Sequence, residues 1–306
     1  MSEPLIHLNS HSDAGAAQHK QQTLLKQLGG LDSLLVALSG GADSAYLAWA
    51  AHTALGTRAL AVTALSASFS AHDRAECERF VACAGVRHEF IFTQEFSNPL
   101  YVANAGDRCY HSKSELFAKL DALAAARGFV AVAYGINADD TSDFRPGHRA
   151  AAEHRVLAPL LDARMTKAEI RALSRAAGLP TWDRPASACL ASRVPYGTEV
   201  TPDVLARVER GEAILRGLGF RQIRVRYFGE TACIELGADE LARAQATEMW
   251  IQIATRLASI GFTRVDLDPR GYRQGSLNDA LTSSPQAAAQ APAYPTPGAD
   301  VGAAGG

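Results

Sequence analysis

The chain is poor in several features, and each absence removes a class of protein. It has no run of about 18 or more apolar residues, so no membrane-spanning helix is expected. Its first residues lack a basic segment followed by an apolar stretch, so no signal peptide is read and a cytoplasmic protein is expected. The net charge is only −2, which argues against a protein that coats nucleic acid by charge alone. Five cysteines, an odd number in 306 residues, do not make a disulfide framework. Of these, Cys77, Cys83 and Cys233 read as small buried hydrophobes. The nine histidines show no metal-ligand spacing of the HExxH kind, and no internal repeat is evident.

What is present is a core and a regular alternation. Hydrophobic residues make up 47% of the chain, enough for one large or two modest domains. Residues 1–20 are polar and read as a flexible N-terminus, with a helix starting near Gln21. Short apolar runs at 34–38, 58–65, 87–92 and 129–134 read as buried strands. Helical segments are expected at 44–55, 71–84 and 113–127. The last of these carries Leu116, Phe117, Leu120 and Leu123 on one face. Strands alternating with helices imply an α/β fold, a doubly wound parallel sheet covered on both faces. Thr166 and Glu169 form a capping-box pattern for a helix over 166–177, and Gly178 supplies its stop. Residues 181–202 then read as a long functional loop. Helix, hairpin, helix and strand over 203–282 form a smaller C-terminal α+β domain, with the hairpin turning at Gly229-Glu230. Residues 283–306, rich in Ala, Pro and Gly and almost without charge, read as a disordered tail.

The first chemical signal is Ser39-Gly40-Gly41-Ala42-Asp43-Ser44, between a predicted strand and a predicted helix. The glycines let the backbone approach an anion, and the N–H groups at the helix start point at it. Ser39 and Ser44 add hydroxyl donors, and Asp43 is suited to a magnesium ion that accompanies phosphate. The string lacks the lysine of a Walker A loop. It resembles the SGGxDS signature of the PP-loop ATP pyrophosphatases, which cleave ATP between the α and β phosphates and leave AMP on the substrate. After the fourth strand Asp139, Asp140 and Asp143 cluster where ligands bind in a doubly wound sheet, so Asp140 joins Asp43 as a candidate magnesium ligand.

Further motifs narrow the resemblance: Tyr134-Gly135-Ile136-Asn137, Asp143-Phe144-Arg145-Pro146-Gly147, Leu157-Ala158-Pro159-Leu160, Ala188-Cys189-Leu190-Ala191-Ser192-Arg193 followed by Pro195-Tyr196-Gly197, and Gly271-Tyr272-Arg273-Gln274-Gly275-Ser276. From about residue 20 to 280 the chain resembles the LarE family, the ATP-dependent sacrificial sulfur transferases of nickel-pincer nucleotide biosynthesis. The resemblance implies ATP and magnesium as cofactors, with Ser39, Gly40, Gly41, Asp43, Ser44 and Gly135 at the nucleotide. It also implies a small nucleotide substrate, a pyridinium dicarboxylate mononucleotide that is adenylated and then attacked by a cysteine of the enzyme. By resemblance that cysteine is Cys189, which gives up its sulfur and becomes dehydroalanine. Arg193, Arg226 and Arg273 would bind the substrate phosphate, with Arg145 and Asn278 as weaker candidates, and the chain would form a homo-oligomer, a hexamer in the family.

The residues near Cys189 suit that chemistry. Its neighbours are small, and Arg184 and Arg193 flank it and favour the reactive thiolate. Relatives that hold an iron–sulfur cluster carry a second cysteine where this chain has Ser112, in Arg108-Cys109-Tyr110-His111-Ser112-Lys113, so no cluster is expected. Two other readings stay open at this stage. One is a tRNA thiolation enzyme of the PP-loop class using a persulfide on Cys109 or Cys189. The other is an ATP-binding module without turnover.

Overall fold

The computed structural model describes residues 11–142, 146–185 and 188–273. The chain divides into two compact units, Leu5–Cys189 and a second that contains Leu190–Gly306. The division thus falls inside the loop assigned from sequence to the first domain, directly after Cys189. The tail over 283–306, and Asp143, Arg145 and Asn278, lie outside the described residues. No described helix is long and apolar enough to cross a membrane.

The first unit opens with α1 (His11–Gly29), β1 (Leu34–Ala37), α2 (Ala42–Leu55), β2 (Ala59–Leu65), α3 (Ala71–Ala84) and β3 (His88–Phe92). There follow α4 (Pro99–Val102), α5 (Arg108–Arg127), β4 (Val132–Tyr134), α6 (Pro146–Glu153), α7 (Pro159–Asp162) and α8 (Lys167–Ala176). The four strands pair in parallel in the order β3-β2-β1-β4. Alternate residues of β1 serve opposite faces. Leu34 and Val36 pack with α1, α2 and α8, while Leu35 packs with Phe117 and Leu120 of α5. Both faces are therefore covered, which is why the strands read as unbroken apolar runs.

Two helices start earlier than their sequence suggests. The segment expected to be flexible over 1–20 is helical from His11. Ala17, Leu24 and Leu28 bury one stripe of α1, and the Lys20 ammonium reaches Glu169 at 2.8 Å and the Arg164 carbonyl at 2.7 Å. Those partners lie 144 and 149 positions away, so only the folded chain fixes the start. Helix α5 begins at Arg108 rather than 113, through a polar stretch whose N-cap, Asp107, makes no side-chain cap bond.

The second unit holds α9 (Pro202–Gly217), β5 (Ile223–Phe228), β6 (Thr231–Leu236), α10 (Leu241–Gln245), α11 (Thr247–Ala258) and β7 (Arg264–Leu267). The β5–β6 hairpin turns at Gly229, whose φ of +68° suits glycine. β7 returns parallel to β6 after α10 and α11. Ile223, Val225, Ile234, Leu236, Ile253, Leu257 and Phe262 form this unit's own core.

Candidate active site and family

In the strand order β3-β2-β1-β4 the chain winds outward from β1 to β3 and then returns to the other side of β1. The crevice beyond the carboxyl ends of β1 and β4 is thus the switch point, where open α/β sheets bind ligands. The segments leaving these two strands are Ser39-Gly40-Gly41 and Gly135-Ile136-Asn137.

The first segment is built as an anion cradle. Gly40 has φ of +78°, and Gly41 caps α2 with no side-chain bond to the helix N–H groups. The Ser44 hydroxyl turns back to the Gly41 carbonyl at 3.1 Å and to the Ser39 hydroxyl at 3.0 Å. The first N–H groups of a 14-residue helix are left to a ligand, at the positive end of its dipole. Gly135 closes the second wall: a Cβ there would stand 2.6 Å from the Ser44 nitrogen and 2.7 Å from its Cα, both backbone atoms. Only glycine lets the β4 exit pass so close to the loop.

Arg184 locks this cradle from behind. Its Nη1 donates to the Gly40 carbonyl at 2.5 Å and its Nη2 to Asp73, which also accepts the Ser70 hydroxyl at 2.7 Å. The sequence assigned Arg184 to the Cys189 thiolate. Instead its guanidinium is committed to the phosphate loop, 144 positions away.

The acidic residues separate by role. Asp43 Oδ1 is buried and has no hydrogen-bond partner among the described residues. Burial pushes the Asp43 carboxyl up, with Asp140 adding to the rise and Lys167, Asn137 and Arg171 opposing it. Asp140 Oδ2 accepts the Asn137 N–H at 3.2 Å, whereas Asp139 accepts the backbone N–H of Lys167 at 2.7 Å and so caps α8. A buried carboxylate oxygen with no hydrogen-bond partner among the described residues is suited to a cation. Magnesium takes one or two carboxylates and completes its shell with water and substrate phosphates, so Asp43 and Asp140 fit it. Lys167 and Arg171 were not singled out in the sequence. They lie one turn apart on α8, whose capping box, Thr166 with Glu169, is formed as expected.

Cys189 is exposed, as its small neighbours suggested. Cys109 is exposed too, in the first turn of α5, and Cys83 is exposed rather than buried, its Sγ 3.8 Å from the Gly178 carbonyl. Cys77 is buried as expected and contacts the Thr63 hydroxyl at 3.2 Å, and burial drives its thiol pKa up. The cation near Cys189 is Arg108. Burial works against its charge, but Cys189, Cys109 and Tyr101 outweigh that and raise its pKa.

In the second unit Arg193, Arg224 and Arg226 are buried near one another, with the partly exposed Arg216 beside them. Arg193 is bidentate to Glu212, at 2.8 and 3.2 Å, and Arg216 reaches the same carboxylate at 3.1 Å. Arg226 is bidentate to Glu235, at 3.0 and 2.9 Å, and donates to the Ser192 carbonyl at 2.6 Å. Arg224 donates to the Ile223 carbonyl at 2.9 Å and stacks on Tyr272 with its guanidinium 5.0 Å from the ring centroid. Burial, then Arg193, pushes the Arg224 pKa down to about 10, with Arg226 contributing and Tyr272 and Glu212 opposing. Among the described residues, the guanidiniums of Arg193, Arg216, Arg224 and Arg226 thus gather around the carboxylates of Glu212 and Glu235. Arg273 pairs with Asp268 at 3.6 Å.

Glu212 is the keystone of this cluster. Burial pushes its carboxyl up, but Arg193, with Arg224 and Arg216, holds it below the usual value. Replacing Glu212 with Ala strands the buried Arg193 charge and is expected to destabilise the unit by about 3–5 kcal/mol in urea titration. Because the folded-state pKa is lowered, Glu212's contribution is present above the ordinary carboxylate value of about 4.3 and is lost as pH falls through the folded value. The difference between wild type and Glu212→Ala should therefore shrink in acid.

No protein-family model matches the sequence. Among curated proteins, an uncharacterised protein of Synechocystis is 40% identical over 265 residues, covering 87% of this chain and 99% of the relative. Pyridinium-3,5-bisthiocarboxylic acid mononucleotide synthase of Lactiplantibacillus plantarum is 33% identical over 269 residues, covering 87% of this chain and 96% of the relative. An uncharacterised protein of Methanocaldococcus jannaschii is 27% identical over 172 residues, 56% of this chain and 66% of the relative. With a glycine-rich loop opening α2 at the sheet's switch point, an exposed Cys189 and a 33% identical match over 87% of its length to the synthase, the chain belongs to the LarE family of pyridinium-3,5-bisthiocarboxylic acid mononucleotide synthases.

Proposed function

We propose that this chain is an ATP-dependent sulfur transferase of nickel-pincer cofactor biosynthesis. It adenylates a carboxylate of a pyridinium dicarboxylate mononucleotide and converts it to a thiocarboxylate with the sulfur of its own Cys189. The observation that carries the reading is the link between the phosphate loop and the cysteine. Arg184 is fastened to the Gly40 carbonyl, and Cys189 follows five residues later, within about 18 Å of chain. A nucleotide in the cradle and a thiol on that short tether are what adenylation followed by thiolate attack requires.

In this reading the α2 N-terminus, Ser39 and Ser44 receive ATP phosphates, and Gly135 keeps the wall close. Lys167 and Arg171 add positive charge where pyrophosphate develops. Asp43 and Asp140 would hold magnesium, which supplies charge neutralisation at the phosphates. The adenylated carboxylate is a good electrophile because AMP leaves readily, and Cys189, exposed and near Arg108, is the nucleophile. Arg193, Arg226 and Arg273 are the candidates for the phosphate of the mononucleotide, since the guanidinium fork suits it.

Intact mass before and after reaction with ATP, magnesium and the carboxylated pyridinium mononucleotide tests the reading. Loss of the elements of hydrogen sulfide, mapped to position 189 as dehydroalanine, is the expected result. Thiolated product with an unchanged protein mass would overturn Cys189 as the sulfur source.

A further inference from the structure

A trans peptide points its C=O and the next N–H in opposite directions. Whatever holds a carbonyl from one side therefore aims the following N–H to the other. Two carbonyls of the phosphate loop are held in this way by side chains from elsewhere in the fold. The Thr63 hydroxyl, on β2, donates to the carbonyl of Leu38 at 2.8 Å, and Arg184 Nη1 donates to that of Gly40 at 2.5 Å. The N–H after the first carbonyl belongs to Ser39 and donates to the Ser44 hydroxyl at 3.2 Å. The N–H after the second belongs to Gly41, the cap of α2, and faces away from Arg184.

Both donors are themselves fixed. Thr63 is 1% exposed. A carbonyl can only accept, so the single Thr63 proton is used on Leu38. His88 Nε2 from β3, at 2.9 Å, and Cys77 Sγ from α3, at 3.2 Å, then face the Thr63 oxygen as donors. Arg184 is held at both ends: its Nη2 donates to Asp73, and its own carbonyl accepts Arg171 Nη2 at 2.7 Å. Gly40 makes room for this contact, since a Cβ there would stand 3.1 Å from Arg184 Nη1. Glycine adopts positive and negative φ about equally well, so the Gly40–Gly41 peptide has a flipped alternative that turns its carbonyl toward an incoming phosphate. A loop that must be ordered by its ligand binds that ligand less tightly.

We propose that Thr63 and Arg184 are positioning residues that preorganise the phosphate loop for ATP by holding the Leu38 and Gly40 carbonyls away from the phosphates. Each acts through a backbone peptide rather than through contact with the nucleotide. The inference rests on the reading of the cradle as the ATP site.

Titration calorimetry with ATP and magnesium, without the mononucleotide, tests it on four variants. Thr63→Val keeps the branched shape but loses the hydroxyl, and should weaken ATP binding about tenfold. Thr63→Ser keeps the hydroxyl and should bind ATP as wild type does. Arg184→Met should weaken binding about 30-fold, because a charged donor makes the stronger bond. Arg184→Lys retains one donor for the Gly40 carbonyl and should fall between Arg184→Met and wild type. In steady-state pyrophosphate release the loss in Thr63→Val should fall mainly on the KM for ATP, leaving the KM for the mononucleotide in place. A general loss of packing would not single out ATP and would not be repaired by one hydroxyl. Thr63→Ser as weak as Thr63→Val, or ATP bound by Thr63→Val and Arg184→Met as tightly as by wild type, would overturn the preorganisation. Should Thr63→Val fail to fold, the two Arg184 variants decide by the same comparison. Wild-type protein that binds no ATP would instead overturn the ATP reading of the cradle, and the inference with it.

Discussion

Cys189→Ala should still bind ATP and release pyrophosphate with the carboxylated mononucleotide, yet form no thiolated product above background. The separation follows from where the parts lie. The cradle is made of Ser39, Gly40, Gly41, Ser44 and Gly135, and its rear lock is Arg184 on Gly40 and Asp73. None of these contacts uses the Cys189 sulfur. Cys189 is exposed, so trimming it to Ala leaves no cavity in the core and should cost little stability. Only the nucleophile goes, and a thiolate has no substitute in the acyl-transfer step. The variant should therefore build up adenylate, or hydrolyse it slowly, with its mass unchanged after reaction. Sulfur transfer retained in Cys189→Ala would remove Cys189 as the donor, and Cys109, exposed and next to Arg108, would become the thiol to examine.

The division between what the sequence reveals and what it hides follows the range of the interactions. The SGGADS cradle is local: strand, glycine pair and helix start occupy one stretch, so its role is legible from residue order. The capping box at Thr166 and Glu169 is equally local and forms as read. That the same helix start carries Lys167 to Asp43 is not legible, because nothing in the spacing of residues 43 and 167 records that α2 and α8 pack together. Arg184 illustrates the same limit. Its place five residues from Cys189 suggested support for the thiolate, while the fold gives it to Gly40 and Asp73. Alternation correctly put Arg224 and Arg226 on one strand face. It could not tell a solvated face from a buried one, where Arg226 pairs with Glu235 and Arg224 lies near Glu212.

Asp43→Asn should separate stability from activity in opposite directions. Asp43 Oδ1 is buried with no hydrogen-bond partner among the described residues, and burial raises the carboxyl pKa above its ordinary 3.8 despite Lys167 and Arg171. A carboxyl whose pKa rises on folding favours the folded chain below its ordinary value and loses that advantage as pH climbs through the raised one. At neutral pH the ionised Asp43 therefore costs stability, and Asn, of the same shape without the charge, should raise it by about 1 kcal/mol in ligand-free protein. Magnesium-dependent pyrophosphate release should fall about 10³-fold, since the charge that would hold the cation at the phosphates is gone. Wild type should gain thermal stability from ATP with magnesium, and the variant much less of it, because only a folded state that binds the ligand is stabilised by it. In magnesium-free wild type the Asp43 carboxyl should titrate above its ordinary 3.8, and that step should be absent from Asp43→Asn. Unchanged pyrophosphate release in Asp43→Asn would take Asp43 out of the site, and a variant less stable than wild type would mean that Lys167 and Arg171 outweigh the burial of its charge.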